Sequence, residues 1–110
     1  MNRINKLTRA LQDGEGVYIS SFANIFYYSG FTSEDARLII TKDNLVLFTD
    51  SRYTVQAKEQ AKDFEIKDIS ELENIKEIGI KRLGFQEEQL TVKELTGLSR
   101  KGVEVFPAGG

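Results

Sequence analysis

Residues 36–49 read Ala-Arg-Leu-Ile-Ile-Thr-Lys-Asp-Asn-Leu-Val-Leu-Phe-Thr, and this stretch decides the class of fold. Residues 36–41 and 45–49 are two runs of apolar and β-branched side chains, and the turn-forming residues 42–44 separate them. Such a pattern predicts a β-hairpin. Because the apolar residues in both runs are nearly continuous, both faces of the two strands are expected to be covered. The prediction is a sheet with helices on either side.

The segments before the hairpin show the periodicities of a helix, a short strand and a second helix, in that order: residues 4–11, 17–20 and 21–29. Gly14 follows the first helix and Gly30 follows the second. Glycine enters the left-handed conformation that ends a helix, so both positions predict helix ends. Asn24 is the expected N-cap of the second helix, since its side chain can accept a bond from a free backbone N–H.

After the hairpin, Asp50 or Ser51 is expected to cap a helix that runs to about residue 61. Tyr53, Ala57 and Ala61 recur every four residues, which places them on one face of this helix. The rest of the chain alternates strand, helix, strand, helix and strand: residues 64–67, 70–78, 81–86, 91–98 and 103–106. Alternation of this kind predicts an α/β layer structure around a mixed sheet. Pro107 is expected to end the last strand, and residues 107–110 have the composition of a domain boundary.

The bulk composition limits the classes of function. The chain has 110 residues, which is enough for one compact domain, and its net charge of −2 comes from interspersed acids and bases. No basic stripe for a nucleic acid and no apolar run long enough for a membrane is present in the sequence, so neither partner is expected. The absence of cysteine excludes disulfides and thiolate metal sites and is compatible with the cytoplasm.

Several short phrases occur in a fixed order along the chain: Asn24-Ile25, Tyr27, Ser29-Gly30-Phe31, Thr49-Asp50-Ser51-Arg52-Tyr53, Gln56-Ala57, Arg82-Leu83-Gly84-Phe85 and Leu90-Thr91. Each phrase alone is weak, but their order and spacing are specific together. In this combination the chain resembles the N-terminal domain of the creatinase/prolidase family. The resemblance runs from the first helix to about Phe106 and is greatest for bacterial Xaa-Pro dipeptidases and aminopeptidases P.

The resemblance implies a three-layer α/β fold, with a mixed central sheet of about six strands flanked by helices in a ribonuclease-H-like motif. Residues 1–110 would form one N-terminal domain. The pita-bread catalytic domain, which holds two divalent metal ions (Mn, Co or Zn) through Asp, His and Glu, would lie outside this segment. The segment contains no histidine and is therefore expected to be inactive alone. The implied partners are its own C-terminal catalytic domain, a second subunit in a homodimer and proline-containing peptides.

Two surfaces are candidate substrate-lip or interface sites. In the loop 30–37, Phe31 would supply apolar contact, and the polar members would meet the ends of a peptide: Ser33, Glu34, Asp35 and Arg37. Glu34 and Asp35 replace the small residues usual in the family, and the loop also reads as plain surface. At the second site, Arg52 or Tyr53 would face a substrate carboxylate or a partner subunit. The alternative is structural, with Asp50 capping a helix and Arg52 pairing nearby.

Four other features of the sequence also bear on its function. The aromatic residues of positions 22–31 are expected mainly in the core, with one ring at a subunit contact. Gly14-x-Gly16 precedes a strand, so it does not form a dinucleotide loop. A ribonuclease-H-type metal site requires converging carboxylates, and neither Asp43 nor Asp50 has an obvious acidic neighbour. The chain also fits a freestanding binding or scaffold module, or the N-terminal domain of a creatinase-like relative that is not a peptidase.

Overall fold

The computed structural model describes residues 8–9, 11–33, 36–42, 44–72, 80–85, 97 and 104–107. Among these residues, 69–72 form a 3-10 turn, and residues 8, 9 and 97 are helical. The other elements within them are six strands, two α-helices and one 3-10 helix. In chain order they are β1 (Glu15–Ile19), α1 (Phe22–Ser29), β2 (Ala36–Thr41), β3 (Leu45–Thr49), the 3-10 helix (Ser51–Tyr53), α2 (Thr54–Gln60), β4 (Glu65–Asp68), β5 (Arg82–Phe85) and β6 (Glu104–Pro107). Of the helices predicted at 4–11, 70–78 and 91–98, the described residues include only 8–9, 11, 70–72 and 97, and the rest of each lies outside them.

All six strands belong to one mixed sheet with the order β4-β3-β2-β1-β5-β6. Strand β2 pairs antiparallel with both β1 and β3. The other three pairings are parallel: β4 with β3, β5 with β1 and β6 with β5. The predicted hairpin is confirmed with its boundaries, and Ile39 pairs with Val46 at its centre. The turn 42–44 lies at what we call the hairpin end of the sheet. The other end, where β1, β3 and β4 finish and β2 begins, is the loop end.

The apolar side chains of the sheet form one core cluster on each face, as the nearly continuous runs of the hairpin predict. On the face that carries α1 and α2, the buried residues are Leu11, Val17, Ile19, Ile25, Phe31, Ala36, Leu38, Ile40, Leu47, Ala57, Ala61 and Phe64. On the opposite face they are Tyr18, Ile39, Val46, Phe48, Ile80 and Leu83. Successive residues of β2 alternate between the two clusters because side chains of a strand point to opposite faces.

Helix α1 begins at a different residue from the predicted one. Ser21 is the N-cap, and its hydroxyl accepts a hydrogen bond from the backbone N–H of Asn24 at 3.3 Å. Asn24 therefore lies inside the helix rather than at its start. Ser21 is the cap because it immediately precedes the first helical residue and has the extended backbone of a cap residue. Gly30 ends the helix as predicted, with a φ of 82° and its N–H donating to the Phe26 carbonyl at 2.9 Å.

Helix α2 agrees with its sequence pattern. Asp50 caps the 3-10 turn that leads into it, and the side-chain oxygen accepts from the Arg52 N–H. Tyr53, Ala57 and Ala61 all pack on the core cluster of the helix-bearing face. This spacing of four keeps the small alanines against the sheet, which allows the helix to lie close to β3 and β4.

Two strand boundaries differ from the predictions for a common reason. Strand β1 starts at Glu15, two residues earlier than expected, because Glu15 pairs with Arg82 and Gly16 pairs with both Thr41 and Leu83. Strand β6 includes Pro107, which was expected to end it. Proline lacks a backbone N–H but is accepted at the edge of a sheet, and β6 is an edge strand. In both places pairing with a neighbour overrides local propensity.

The aromatic residues of positions 22–31 are not mainly buried, which corrects the expectation of a core cluster. Phe31 is fully buried and Tyr28 is half-buried. By contrast, Phe22, Phe26 and Tyr27 are 45%, 53% and 51% exposed. These three residues of α1 are called the aromatic stripe below. Helix α1 touches the core fully only through Ile25, so one of its faces is enough to hold it on the sheet.

Candidate functional site at the loop end of the sheet

Arg37 is the cation nearest to the centre of the loop end. It lies on β2, half-buried, where its Nε donates to the Tyr18 hydroxyl at 3.2 Å and its Nη1 donates to the Ala36 carbonyl at 2.7 Å. Both partners are neutral. In the part of the chain that the structure describes, Arg37 forms no ion pair. A guanidinium held in this way keeps its full charge for a carboxylate that approaches from outside.

Arg52 pairs with the Asp50 cap, which is the structural alternative that the sequence analysis describes. The Asp50 carboxylate accepts from the backbone N–H of Arg52 at 2.9 Å and from its Nε at 3.1 Å. These bonds, first of all the one from the backbone, lower the pKa of Asp50 below its ordinary value. The guanidinium of Arg52 also stacks 5.3 Å above the ring of Tyr53, which itself packs on the core.

The hairpin register brings the two arginines to one place. Ala36 pairs with Thr49, so the start of β2 lies beside the residue that precedes Asp50. Together they border a cleft of about 440 Å³ whose lining residues are Tyr18, Arg37, Asp50, Arg52, Ile69 and Leu72. The lining combines two arginines, a tyrosine hydroxyl, the Asp50 carboxylate that pairs with Arg52, and two apolar side chains. Arg37, whose partners are neutral, is the cation in this lining that suits a carboxylate attached to an apolar group. The volume is within the range of small-ligand sites.

The carboxyl end of β4 places a second acid beside Asp50, contrary to the sequence analysis, which found no acidic neighbour. Asp68 caps the next turn, with its side chain accepting from the Ser70 N–H at 2.9 Å. That bond lowers the pKa of Asp68, and the charge of Asp50 slightly opposes the shift. The two carboxylates do not converge with a third ligand, and among the described residues no group of three or more His, Cys, Asp or Glu can hold a metal ion.

The loop that follows α1 is tied to α2 by side-chain amides. Gln60 Oε1 accepts from the backbone N–H of Thr32 at 3.1 Å and from its hydroxyl at 3.2 Å. Gln56 Nε2 donates to the Thr32 hydroxyl at 3.0 Å and to Gln60 at 3.2 Å. This arrangement, called the glutamine clamp below, connects the first half of the loop to α2.

The members of the predicted lip have different locations. Phe31 is 0% exposed and packs in the core, so it has no surface to offer a peptide, and its predicted role as an apolar lip is corrected. The ring is buried because the loop turns inward at Gly30, between the two helices. Ser33 is half-buried, and Glu34 and Asp35 lie outside the described residues. Arg37 is the lip residue that lines the cleft.

Several residues at this end were missed by the sequence analysis. Tyr18, Ile69 and Leu72 line the cleft, yet each occurs in an ordinary strand or helix pattern with no signal of its own. The clamp was visible in part, because Gln56-Ala57 was one of the ordered phrases. The structure shows two reasons for this pair: Gln56 binds the loop, and Ala57 is fully buried under α2.

The fold and the site define a class of protein: an α/β domain with a mixed sheet and a cation-lined cleft at the loop end, without a metal-binding cluster among its described residues. The chain matches the Creatinase/Prolidase N-terminal domain family over residues 3–110. It therefore belongs to that family, as the ordered phrases indicate. No helix within the described residues is long and apolar enough to cross a membrane.

Three similar proteins illustrate the relationship. The peptidase YqhT of Bacillus subtilis (strain 168) is 37% identical over 83 residues, which are 70% of this chain and 24% of that protein. The N-terminal domain of the cytoplasmic peptidase PepQ from Mycobacterium tuberculosis H37Rv superposes with a TM-score of 0.82 at 30% identity, covering 99% of this chain and 94% of that one. The Xaa-Pro dipeptidase from Bacillus anthracis gives a TM-score of 0.86 at 27% identity, covering 100% of this chain and 34% of that one.

The fraction of each relative's length that this chain covers differs from one relative to the next. The chain spans about a quarter of the curated relative that it matches and about a third of the B. anthracis dipeptidase. By contrast, it spans nearly all of the separately crystallised N-terminal domain of PepQ. The chain is thus similar in extent to the N-terminal domain of PepQ.

Proposed function

We propose that this chain is the non-catalytic N-terminal domain of a metal-dependent Xaa-Pro peptidase, either a dipeptidase or an aminopeptidase P. The observation that carries this proposal is the family match over residues 3–110, together with full coverage of the chain by one third of an Xaa-Pro dipeptidase. The catalytic centre belongs to the other two thirds. There, two divalent ions (Mn, Co or Zn) would be held by His, Asp and Glu, and histidine is absent from this sequence.

The role of this domain in the whole protein is to support a homodimer and to restrict access of peptides to the catalytic domain. The loop-end cleft is the surface that suits the second task. Arg37 presents a guanidinium whose partners are neutral, and Ile69 and Leu72 supply an apolar wall. A proline-containing peptide carries an apolar ring next to its terminal carboxylate. Arg37 would pair with that carboxylate, and Arg52 lines the same cleft. Ser33, Glu34, Asp35 and Tyr53 would contribute further contacts to a peptide or to a partner subunit.

The partners and location of the whole protein follow from the same proposal. Its partners are its own C-terminal catalytic domain, a second subunit and proline-containing peptides. Its location is the cytoplasm, which agrees with the absence of cysteine and with the name of the similar PepQ protein.

The experiment that tests this proposal compares residues 1–110 with the full-length protein, each supplied with Mn²⁺ or Co²⁺ and an Xaa-Pro dipeptide. The full-length protein is expected to cleave the dipeptide, and the segment alone is expected to show no turnover. Enzyme-like turnover by the segment would contradict the assignment of a non-catalytic domain. A full-length protein that cleaves creatine in place of the dipeptide would assign the chain to a creatinase-like relative. A reading frame that stops at Gly110 would favour the freestanding module.

A further inference from the structure

Helix α1 exposes aromatic side chains at the surface of the domain. The aromatic stripe, Phe22, Phe26 and Tyr27, is about half exposed, and Phe22 and Phe26 are neighbours one turn apart on the helix. No charged residue occurs in the sequence of α1, FANIFYYS. By contrast, the exposed positions of α2 include Lys58 and Glu59. Exposed apolar surface that is contiguous and free of charge indicates an interaction site.

The size of the stripe distinguishes between possible occupants. Each ring has a surface of about 200 Å², so the three half-exposed rings offer about 300 Å² together. A stable complex between separate molecules buries about 800 Å² on each partner. The stripe is therefore too small to hold a second copy of the chain by itself. A domain on the same polypeptide needs much less contact area, because the covalent connection gives it an effective concentration of about millimolar.

The direction of the chain leads toward the stripe. Strand β6 is parallel to β5, and β5 is parallel to β1, so β6 and β1 finish at the same end of the sheet. One strand separates them, which corresponds to about 10 Å. Helix α1 begins at Phe22, three residues after β1 ends at Ile19. The polypeptide that continues from β6 in a longer protein would thus emerge close to the first ring of the stripe.

We propose that the aromatic stripe of α1 is the docking surface for the domain that follows on the same polypeptide, and that apolar side chains of that domain cover it. This inference rests on the proposed function, since it requires the longer protein. It adds a location: the contact between the two domains is made on the outer side of α1.

The test uses the full-length protein with Phe22→Ser and Phe26→Ser introduced together. Limited digestion with proteinase K, mapped by mass spectrometry, measures the rate of cleavage in the segment that follows residue 107. Because loss of the contact frees the two domains from each other, the double variant is expected to be cleaved about tenfold faster than the unaltered protein. Light scattering is expected to show the same number of subunits in both.

Val55→Ser is the matched control, because Val55 is an exposed apolar residue on the neighbouring helix α2 and is 71% exposed. Its cleavage rate is expected to stay within twofold of the unaltered protein. If circular dichroism shows that the double variant is unfolded, Phe26→Lys replaces it, since that changes only the most exposed ring.

Two results would overturn the inference. One is a folded stripe variant that is cleaved no faster than the Val55→Ser protein. The other is a change in the number of subunits, which would assign the stripe to a second copy of the chain. Hydrolysis of an Xaa-Pro dipeptide by the unaltered full-length protein is measured separately. A protein that lacks this activity but shows the expected protection contradicts only the proposed enzyme class.

Discussion

The two ends of the central sheet differ in the partners of their arginine side chains. At the hairpin end, Arg82 Nη1 lies 2.6 Å from the Glu15 carboxylate, and its Nε lies 3.6 Å from Glu104. At the loop end, Arg37 contacts the Tyr18 hydroxyl and the Ala36 carbonyl, neither of which carries a charge. Both arginines are partly buried on the sheet. Arg82 connects β5 to its neighbours by charge, whereas Arg37 is held in position and left without an internal counterion among the described residues.

This difference separates a structural end of the sheet from an end that is available to a partner. The Glu15 side chain is only 11% exposed, so its charge depends on Arg82 for compensation. Neutral partners orient Arg37 but do not neutralise it. Changes at the hairpin end should therefore affect stability, and changes at the loop end should affect binding. The four predictions below test this contrast, in order of decreasing effect on stability.

Arg82→Ala is expected to lower the free energy of unfolding by about 2 kcal/mol, because it leaves the nearly buried Glu15 carboxylate without its charged hydrogen bond. Chemical denaturation of residues 1–110 measures the change. Lys42→Ala is the control, since its partner Asp13 is 93% exposed at 3.7 Å and such surface pairs contribute less than about 1 kcal/mol. Equal losses of unfolding free energy in Arg82→Ala and Lys42→Ala would show that the pair of Arg82 and Glu15 contributes no more than a surface ion pair.

Gln60→Ala removes the acceptor of the glutamine clamp and is expected to reduce stability by about 1 kcal/mol. The more specific readout is hydrogen exchange at the Thr32 amide, whose N–H donates to Gln60 Oε1. That amide should exchange about tenfold faster in the variant. Glu59→Ala, at the exposed neighbouring position of α2, should leave the exchange unchanged. An unaffected Thr32 amide in Gln60→Ala would mean that the loop is held by other contacts.

Arg37→Gln is expected to change the free energy of unfolding by less than about 1 kcal/mol, because the acceptors of Arg37 are neutral and its loss leaves no buried charge without a partner. In the full-length protein, the same change should raise KM for an Xaa-Pro dipeptide about tenfold with little change in kcat, as expected for a lost carboxylate contact. Arg37→Lys keeps the positive charge but lacks the planar guanidinium, so its KM should lie between those of the unaltered protein and of Arg37→Gln. A stability loss as large as that of Arg82→Ala, or an unchanged KM, would contradict the contrast.

The pH dependence of stability should contain a small contribution from Asp50. Its pKa in the folded protein is lowered from 3.8, mainly by the backbone N–H of Arg52. A lowered pKa means that the carboxylate stabilises the fold above the unfolded value, and this stabilisation is lost as the pH falls through the folded value. Asp50→Asn should therefore lose less stability than the unaltered chain when the pH drops below 3.8. Parallel acid unfolding curves would show that the cap does not titrate with folding.

Local patterns were sufficient for elements whose contacts lie close along the chain. The hairpin strands Ala36–Thr41 and Leu45–Thr49 were predicted with their boundaries, because alternation between two buried faces leaves continuous apolar runs. The cap at Asp50 and the alanine face of α2 followed from spacing alone. The predicted start of β1 was wrong because long-range pairing sets it. Glu15 and Gly16 join the strand by pairing with Arg82 and Leu83.

The aromatic residues after β1 show a second limit. A dense run of rings predicts burial from hydrophobicity, yet the stripe remains half exposed. Ile25, Phe31 and in part Tyr28 occupy the space between α1 and the sheet, so Phe22, Phe26 and Tyr27 remain at the surface. Hydrophobicity predicts that an aromatic side chain will be covered, but it does not distinguish the core of the same domain from an interface with another domain.

Residue order along this chain was enough to identify the family, the mixed α/β fold and the absence of histidine, since all three are properties of local sequence. The cleft depends instead on register: pairing of Ala36 with Thr49 brings Arg37 next to Asp50 and Arg52, although many residues separate them along the chain. Packing in turn assigned Phe31 to the core and left Phe22 and Phe26 outside. Such long-range contacts arise only when strands and helices close on each other, because the space left for each side chain is set by its neighbours in three dimensions.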